Sequence, residues 1–164
     1  MSVESRRVAT NEVWSEWESQ VVNGVFPLRR FIGGSNHSAV FITEFRAEKL
    51  YRAAIKLVPA DVVEKESQLV QWGMASTLSH PHLVRLFDVG RSHIGGREFL
   101  FVVMEYAEQT LAQLLPNRAL NLDEVREMLL PAIDALRFLH GSNLVHGQIR
   151  PSNPTAAVWT ATKV

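Results

Sequence analysis

The sequence contains no cysteine. Disulfide scaffolds, thiolate zinc sites and cysteine nucleophiles are therefore excluded, and the same absence fits a cytoplasmic protein. Nor is there an excess of charge of either sign: 17 Lys and Arg stand against 17 Asp and Glu in 164 residues. Without a broad basic field, neither nucleic acid nor an anionic lipid surface is an expected partner, and the pair Arg29-Arg30 reads as a solvated strand end. Long apolar runs are lacking too. The longest, Phe99 to Met104, falls far short of the roughly 20 residues that span a bilayer. The start, Met1-Ser2-Val3-Glu4-Ser5-Arg6-Arg7, has no apolar run behind it to make a secretory signal. No internal repeat or low-complexity tract is present. With 46% hydrophobic and 21% charged residues, the chain can bury a core, and its length favours one domain or one domain with part of a second.

Residues 1–23 are largely polar, with Trp14 and Trp17 three apart, and read as an N-terminal extension whose indoles pack on the domain surface. Phe26 to Ile32 reads as a strand that ends at Gly33-Gly34-Ser35-Asn36, and Ser38 to Phe45 as its return, with Val40, Ile42 and Phe45 apolar. Tyr51 to Val58 is a third strand, stopped by Pro59. Asp61 to Leu78 has helical character, although Gly73 weakens it, and His80-Pro81-His82 ends it because the residue before proline avoids the α region. Leu83 to Val89 is a fourth strand, and Gly95-Gly96 closes a hairpin into a fifth, Glu98 to Met104. The pattern then turns helical. Thr110 to Leu115 is a short piece ended by Pro116. A longer helix begins at the N-cap Asn121, with Glu124 completing a capping box, and runs to Gly141 with Leu122, Val125, Leu129, Ile133, Leu136 and Leu139 at helical spacing. Pro131 inside it predicts a kink or one lost hydrogen bond.

Five features follow in a fixed order. The first is the glycine-bearing turn Ile32-Gly33-Gly34-Ser35-Asn36-His37-Ser38-Ala39-Val40. The second is Ala53-Ala54-Ile55-Lys56 on the third strand. The third is the helix that follows, with Glu64 and Glu66. The fourth is Met104-Glu105-Tyr106-Ala107 at the exit of the fifth strand. The fifth is His146-Gly147-Gln148-Ile149-Arg150-Pro151-Ser152-Asn153 after the capped helix. In this order they resemble the protein kinases, and in detail the bacterial serine/threonine kinase-like domains, over residues 24–153.

The resemblance implies an α+β fold: a kinase-like small lobe of a five-stranded antiparallel sheet plus one helix (24–104), then the hinge and the first helices of an incomplete large lobe (105–153), with an atypical tail (154–164). It implies ATP as cofactor, covered by the turn around Ile32, Gly33, Gly34, Ser35, Ser38 and Val40, where backbone amides approach phosphates. It places Ala54 and Lys56 against adenine and phosphates. The position where the family carries the Glu that pairs with this Lys is Gln71 here, so Glu66, upstream on a shifted or extended helix, is the expected partner of Lys56. It makes Met104 the gatekeeper, and has the backbone of Glu105 and Ala107 hydrogen-bond the adenine. It makes Asn153 a ligand of Mg²⁺.

The departures are as specific as the matches. Gln148 stands where the family carries the Asp that receives the substrate hydroxyl proton, and an amide is no base at neutral pH. Arg150 replaces a Lys, keeping the charge but changing its shape. His146 matches, and Gly147 removes an Arg. Residues 154–164 hold no Asp or Glu, so the metal-binding Asp-Phe-Gly is missing and Mg²⁺ binding is expected to be weak or absent. The expectation is a serine/threonine kinase-like chain, inactive or a fragment. The alternative is a pseudokinase-type module that binds nucleotide or a protein partner without turnover. An apolar stripe left on the long helix predicts self-association. The protein substrate and the upstream signal are not written in these residues. Other classes fit less well: no phosphate-binding loop leads into a helix, no Gly-x-Ser-x-Gly elbow occurs, and His80-Pro81-His82 reads as a turn in preference to a metal site.

Overall fold

Short runs that are apolar on both faces build the central strands of the sheet, and helical spacing builds the long helix that follows. The computed structural model describes residues 14–61, 63–108, 112, 115, 117–147, 149–150 and 162–163. The chain divides into two units, one of residues 1–70 with 86–106 and one of residues 71–85 with 107–164.

In the first unit, a small antiparallel pair, β1 (Val21–Val22) and β2 (Phe26–Pro27), precedes a five-stranded sheet. Its strands are β3 (Arg30–Ser35), β4 (Ser38–Arg46), β5 (Leu50–Pro59), β6 (Leu86–Ile94) and β7 (Arg97–Glu105), in the order β3-β4-β5-β7-β6. All neighbours run antiparallel. The expected strand from Phe26 to Ile32 is broken in two because the backbone around Leu28 turns to bond the preceding segment: Leu28 N–H donates to Gln20 O and Ser19 N–H to Leu28 O. The register of β3 on β4 shifts between Phe31 and Gly33, a bulge at the start of the turn. The β6–β7 hairpin turns on Gly95 (φ 56°) and Gly96 (φ 78°), both in the left-handed region that a two-residue hairpin loop requires.

One face of the sheet carries the core. Phe41 pairs with Ile55 and Ile55 with Val103, while Ala39 pairs with Leu57 and Leu57 with Phe101. These residues pack with Phe99, Trp14, Val22, Phe26 and Leu28 in one buried cluster. Each such aromatic or leucine side chain contributes about 2–3 kcal/mol by leaving water. The N-terminal segment thus roofs the outer face, as the sequence suggested for the two indoles: Trp14 and Trp17 lie with ring centroids 6.2 Å apart, and Trp17 meets Phe99 edge-on at 5.1 Å.

Helix α1 (Lys65–Ser76) is shorter than the expected 61–78. Its end is set by hydroxyls that cap the last carbonyls, Ser76 Oγ on Gly73 O at 2.7 Å and Thr77 Oγ1 on Met74 O at 2.8 Å. The expected fourth strand at Leu83 starts later, at Leu86. Leu83 instead joins the core of the second unit, with Ala135, Leu139 and Leu144 and the flanking Leu78, Ala132, Leu136 and Phe138.

That second unit is built on α2 (Leu122–Gly141). Its capping box forms as the sequence predicted: Glu124 N–H donates to Asn121 Oδ1 at 3.0 Å, and Asn121 N–H donates to Glu124 Oε2 at 2.9 Å. Arg118 clamps the same carboxylate with two bonds, at 2.7 and 2.6 Å. The helix runs without interruption through Pro131. A two-residue strand β8 (Leu144–Val145) follows and pairs with β9 (Thr162–Lys163). The expected short helix at 110–115 lies mostly outside the described residues.

Candidate functional site

The sheet face opposite the aromatic core carries the residues singled out by motif. Lys56 on β5 sits between Val40 on β4 and Val102 on β7, and Ala54 sits between Ile42 and Met104. Since side chains two apart on a strand share a face, Val40, Ala54, Lys56 and Met104 are gathered on one surface. Ala54 and Met104 are buried, and Lys56 is half-buried. Burial disfavours its ammonium form and lowers its pKa from the usual lysine value. A cation held among apolar strand residues is stabilised by an anionic ligand far more than one on an open surface.

The β3–β4 turn lies at the end of this surface. Gly34 is required by close approach: a Cβ there would run into the carbonyl oxygen of Ser38 and crowd the Phe31 ring. The turn is stitched by hydroxyls. His37 N–H donates to Ser35 Oγ at 3.1 Å, and the Ser35 and Ser38 hydroxyls are 3.2 Å apart. Ile32 is exposed at the strand's edge. The serines that replace glycines therefore engage one turn amide themselves.

Glu66 stands elsewhere than expected. The sequence reading paired it with Lys56; its carboxylate is instead bonded by the Arg91 guanidinium of β6, and its side chain is 80% exposed. Arg91 also reaches Glu98, at 4.0 Å, and Glu98 in turn bonds Lys65. The helix start is thus tied to the β6–β7 hairpin by a network of charges, exposed at Glu66 and Arg91 and half-buried at Lys65 and Glu98. At the strand exit Glu105 is exposed and Tyr106 and Ala107 are half-buried. The Arg52 guanidinium lies over the Tyr106 ring, 4.2 Å from its centroid, which fixes the first residues after β7.

In the second unit, His146 follows β8 and is 2% exposed. Gly147 takes a left-handed conformation (φ 71°), one that the Arg expected there by family would adopt only with strain. Arg150 is exposed. Gln148 and Asn153, which the motif matches to the proton-acceptor and metal-ligand positions, lie outside the described residues. Among the described residues no three His, Asp or Glu side chains converge as a metal site.

Four contacts had no sequence signal. His80 accepts from His82 N–H through Nδ1 at 3.2 Å, and its Nε2 lies 3.2 Å from Asp134 Oδ2. An accepting Nδ1 puts the ring proton on Nε2, where it donates to the carboxylate. Trp14 Nε1–H donates to Ser35 O at 3.1 Å, and Phe31 N–H donates to Glu18 Oε1 at 2.8 Å.

Comparison with known proteins bears on this arrangement. The family described as the protein kinase domain matches residues 27–154. A probable serine/threonine-protein kinase of Streptomyces coelicolor is 31% identical over 108 residues, which are 62% of this chain and 16% of that one. The serine/threonine-protein kinase PknB of Mycobacterium tuberculosis is 26% identical over 152 residues, 85% of this chain and 23% of that one. The chain therefore spans under a quarter of the length of these curated relatives. A crystal structure of Rad53 residues 1–466 in complex with AMP-PNP superposes with a TM-score of 0.65 at 20% identity, over 78% of this chain and 33% of that one. At that identity the likeness speaks for the fold.

Proposed function

The chain belongs to the protein kinase domain family, and on that premise we propose that it is a serine/threonine kinase-like module that binds ATP but transfers its phosphoryl group poorly or not at all. The observation that carries this reading is the half-buried Lys56 on one surface with Val40, Ala54 and Met104. An apolar floor suits an adenine ring, and a partly desolvated ammonium beside it suits a phosphate. The hinge backbone at Glu105 and Ala107 would bond the adenine edge, and the turn from Gly33 to Ser38 would cover the phosphates.

The chemistry is weaker than the binding. General-base assistance is worth about 10²–10⁴ in rate, and Gln148 offers an amide where the base should be. Arg150 retains a positive charge for the transferred group. ATP would bring Mg²⁺ on its own phosphates, and by motif the Asn153 amide would be the side chain that ligates it. A single neutral ligand is a poor match to a cation that prefers carboxylates, so the nucleotide's own phosphates would supply most of the metal's ligands.

Isothermal titration with MgATP tests the binding, with Lys56→Ala as the control. Wild type is expected to bind and Lys56→Ala to lose at least tenfold in affinity. Radiolabel transfer from ATP by wild type should not exceed that of Lys56→Ala. Transfer that the substitution abolishes would make the chain an active kinase, and absence of any nucleotide binding would leave only a protein-interaction role.

A further inference from the structure

The turn that would cover the nucleotide is held from outside the motif that defines it. β3 is an edge strand, and an edge strand leaves backbone groups without a strand neighbour and bends easily. Two side chains of the N-terminal segment take up such groups. Glu18 Oε1 accepts from Phe31 N–H at 2.8 Å, at the bulge where the β3 register shifts. Trp14 Nε1–H donates to the Ser35 carbonyl at 3.1 Å, at the last residue before the turn. The indole is itself immobilised. Trp14 is 6% exposed and lies with Trp17 and Phe99 at centroid distances of 6.2 Å each. Its donor end therefore acts as a fixed post, because an indole has one N–H and no acceptor to trade. The hydroxyl bonds among Ser35, His37 and Ser38 are internal to the turn. They shape it without setting where it sits.

We propose that Trp14, with Glu18 behind it, is a positioning residue for the β3–β4 turn, and that the N-terminal segment thereby sets how tightly the turn closes over nucleotide phosphates. The proposal rests on the ATP-binding reading above. It separates from a merely structural role for Trp14 through the ligand: adenosine has the base and sugar but no phosphate for the turn to cover.

The test uses the whole 164-residue chain and compares MgATP with adenosine as titrants. Trp14→Phe keeps an aromatic ring in the cluster and deletes the N–H. The expected result is an affinity loss of about fivefold for MgATP, the scale of one hydrogen bond, with adenosine affinity unchanged and the His37 amide resonance broadened. Equal losses for both titrants, or no loss for either, would overturn the proposal while leaving the ATP reading in place. Binding of neither titrant by wild type would overturn the ATP reading and the proposal together, and the wild-type titration alone identifies that case. Should Trp14→Phe fail to fold, Glu18→Ala carries the test from an exposed position. The same MgATP-selective loss supports the proposal, and parity with wild type overturns it.

Discussion

The His80 ring stands between two partners, accepting the His82 amide at Nδ1 and donating from Nε2 to Asp134 on α2. It also stacks on Phe138 of the same helix, with centroids 4.9 Å apart. One side chain thus fastens the segment after α1 to the core of the second unit. Replacing His80 by Ala removes both hydrogen bonds and the ring contact, and should destabilise by about 1–3 kcal/mol. Asp134→Asn should cost much less, about 0.5 kcal/mol or under, because the Asp134 side chain is 61% exposed. Urea midpoints for the two variants check the order; equal losses would mean that the bond to Asp134 dominates.

Lys56 predicts a pH effect with a definite sign. Burial lowers its folded-state pKa below the usual 10.5, so at alkaline pH the unfolded chain binds more protons than the folded one. The stability owed to this group then rises as pH climbs from the folded value toward 10.5. Lys56→Met lacks that slope. Wild type should therefore gain stability relative to the variant as pH climbs toward 10.5. Parallel melting curves across that range would show that burial does not act on this lysine.

The capping box predicts a loss at the acid end. The side-chain bond from Arg118, and then the Asn121 amide, hold the Glu124 carboxyl at a pKa of about 2 against an ordinary 4.5. Its contribution is present in full above 4.5 and disappears as pH falls toward about 2. Glu124→Gln should therefore be less stable than wild type at neutral pH and match it in strong acid. Asn121→Ala, which removes the N-cap acceptor, should cost about 1 kcal/mol at neutral pH.

On α2, Leu122, Leu130 and Ile133 are 65%, 67% and 49% exposed. The wild-type chain is expected to associate through this stripe. Leu130→Glu combined with Ile133→Glu should return it to the monomer mass in multi-angle light scattering. A monomeric wild type at the same concentration would remove the stripe from consideration as a self-association surface.

What could be read from the sequence was local. Asn121 and Glu124 announce the start of α2 because the capping bonds join residues three apart. Gly95-Gly96 announces its hairpin because the turn itself demands those glycines. The surface around Lys56 was legible through motif order, since strand alternation follows once β4, β5 and β7 are placed. Contacts between distant residues were not legible. Nothing near Trp14 points to Ser35, 21 positions on. Glu66 had two cations to choose from, and the strand geometry gave it Arg91. Leu83 looked like the head of a strand because an apolar run does not say which core it will join; packing on Leu139 and Leu144 decided it.

The sheet assigns its two tasks by the parity of residue number. Val40, Ile42, Ala54, Lys56, Val102 and Met104 are even and share the face that would meet a ligand; Ala39, Phe41, Ala53, Ile55, Leu57, Phe101 and Val103 are odd and hold the buried aromatic layer. A substitution at an even position therefore alters the ligand-facing surface while the odd layer keeps its own side chains.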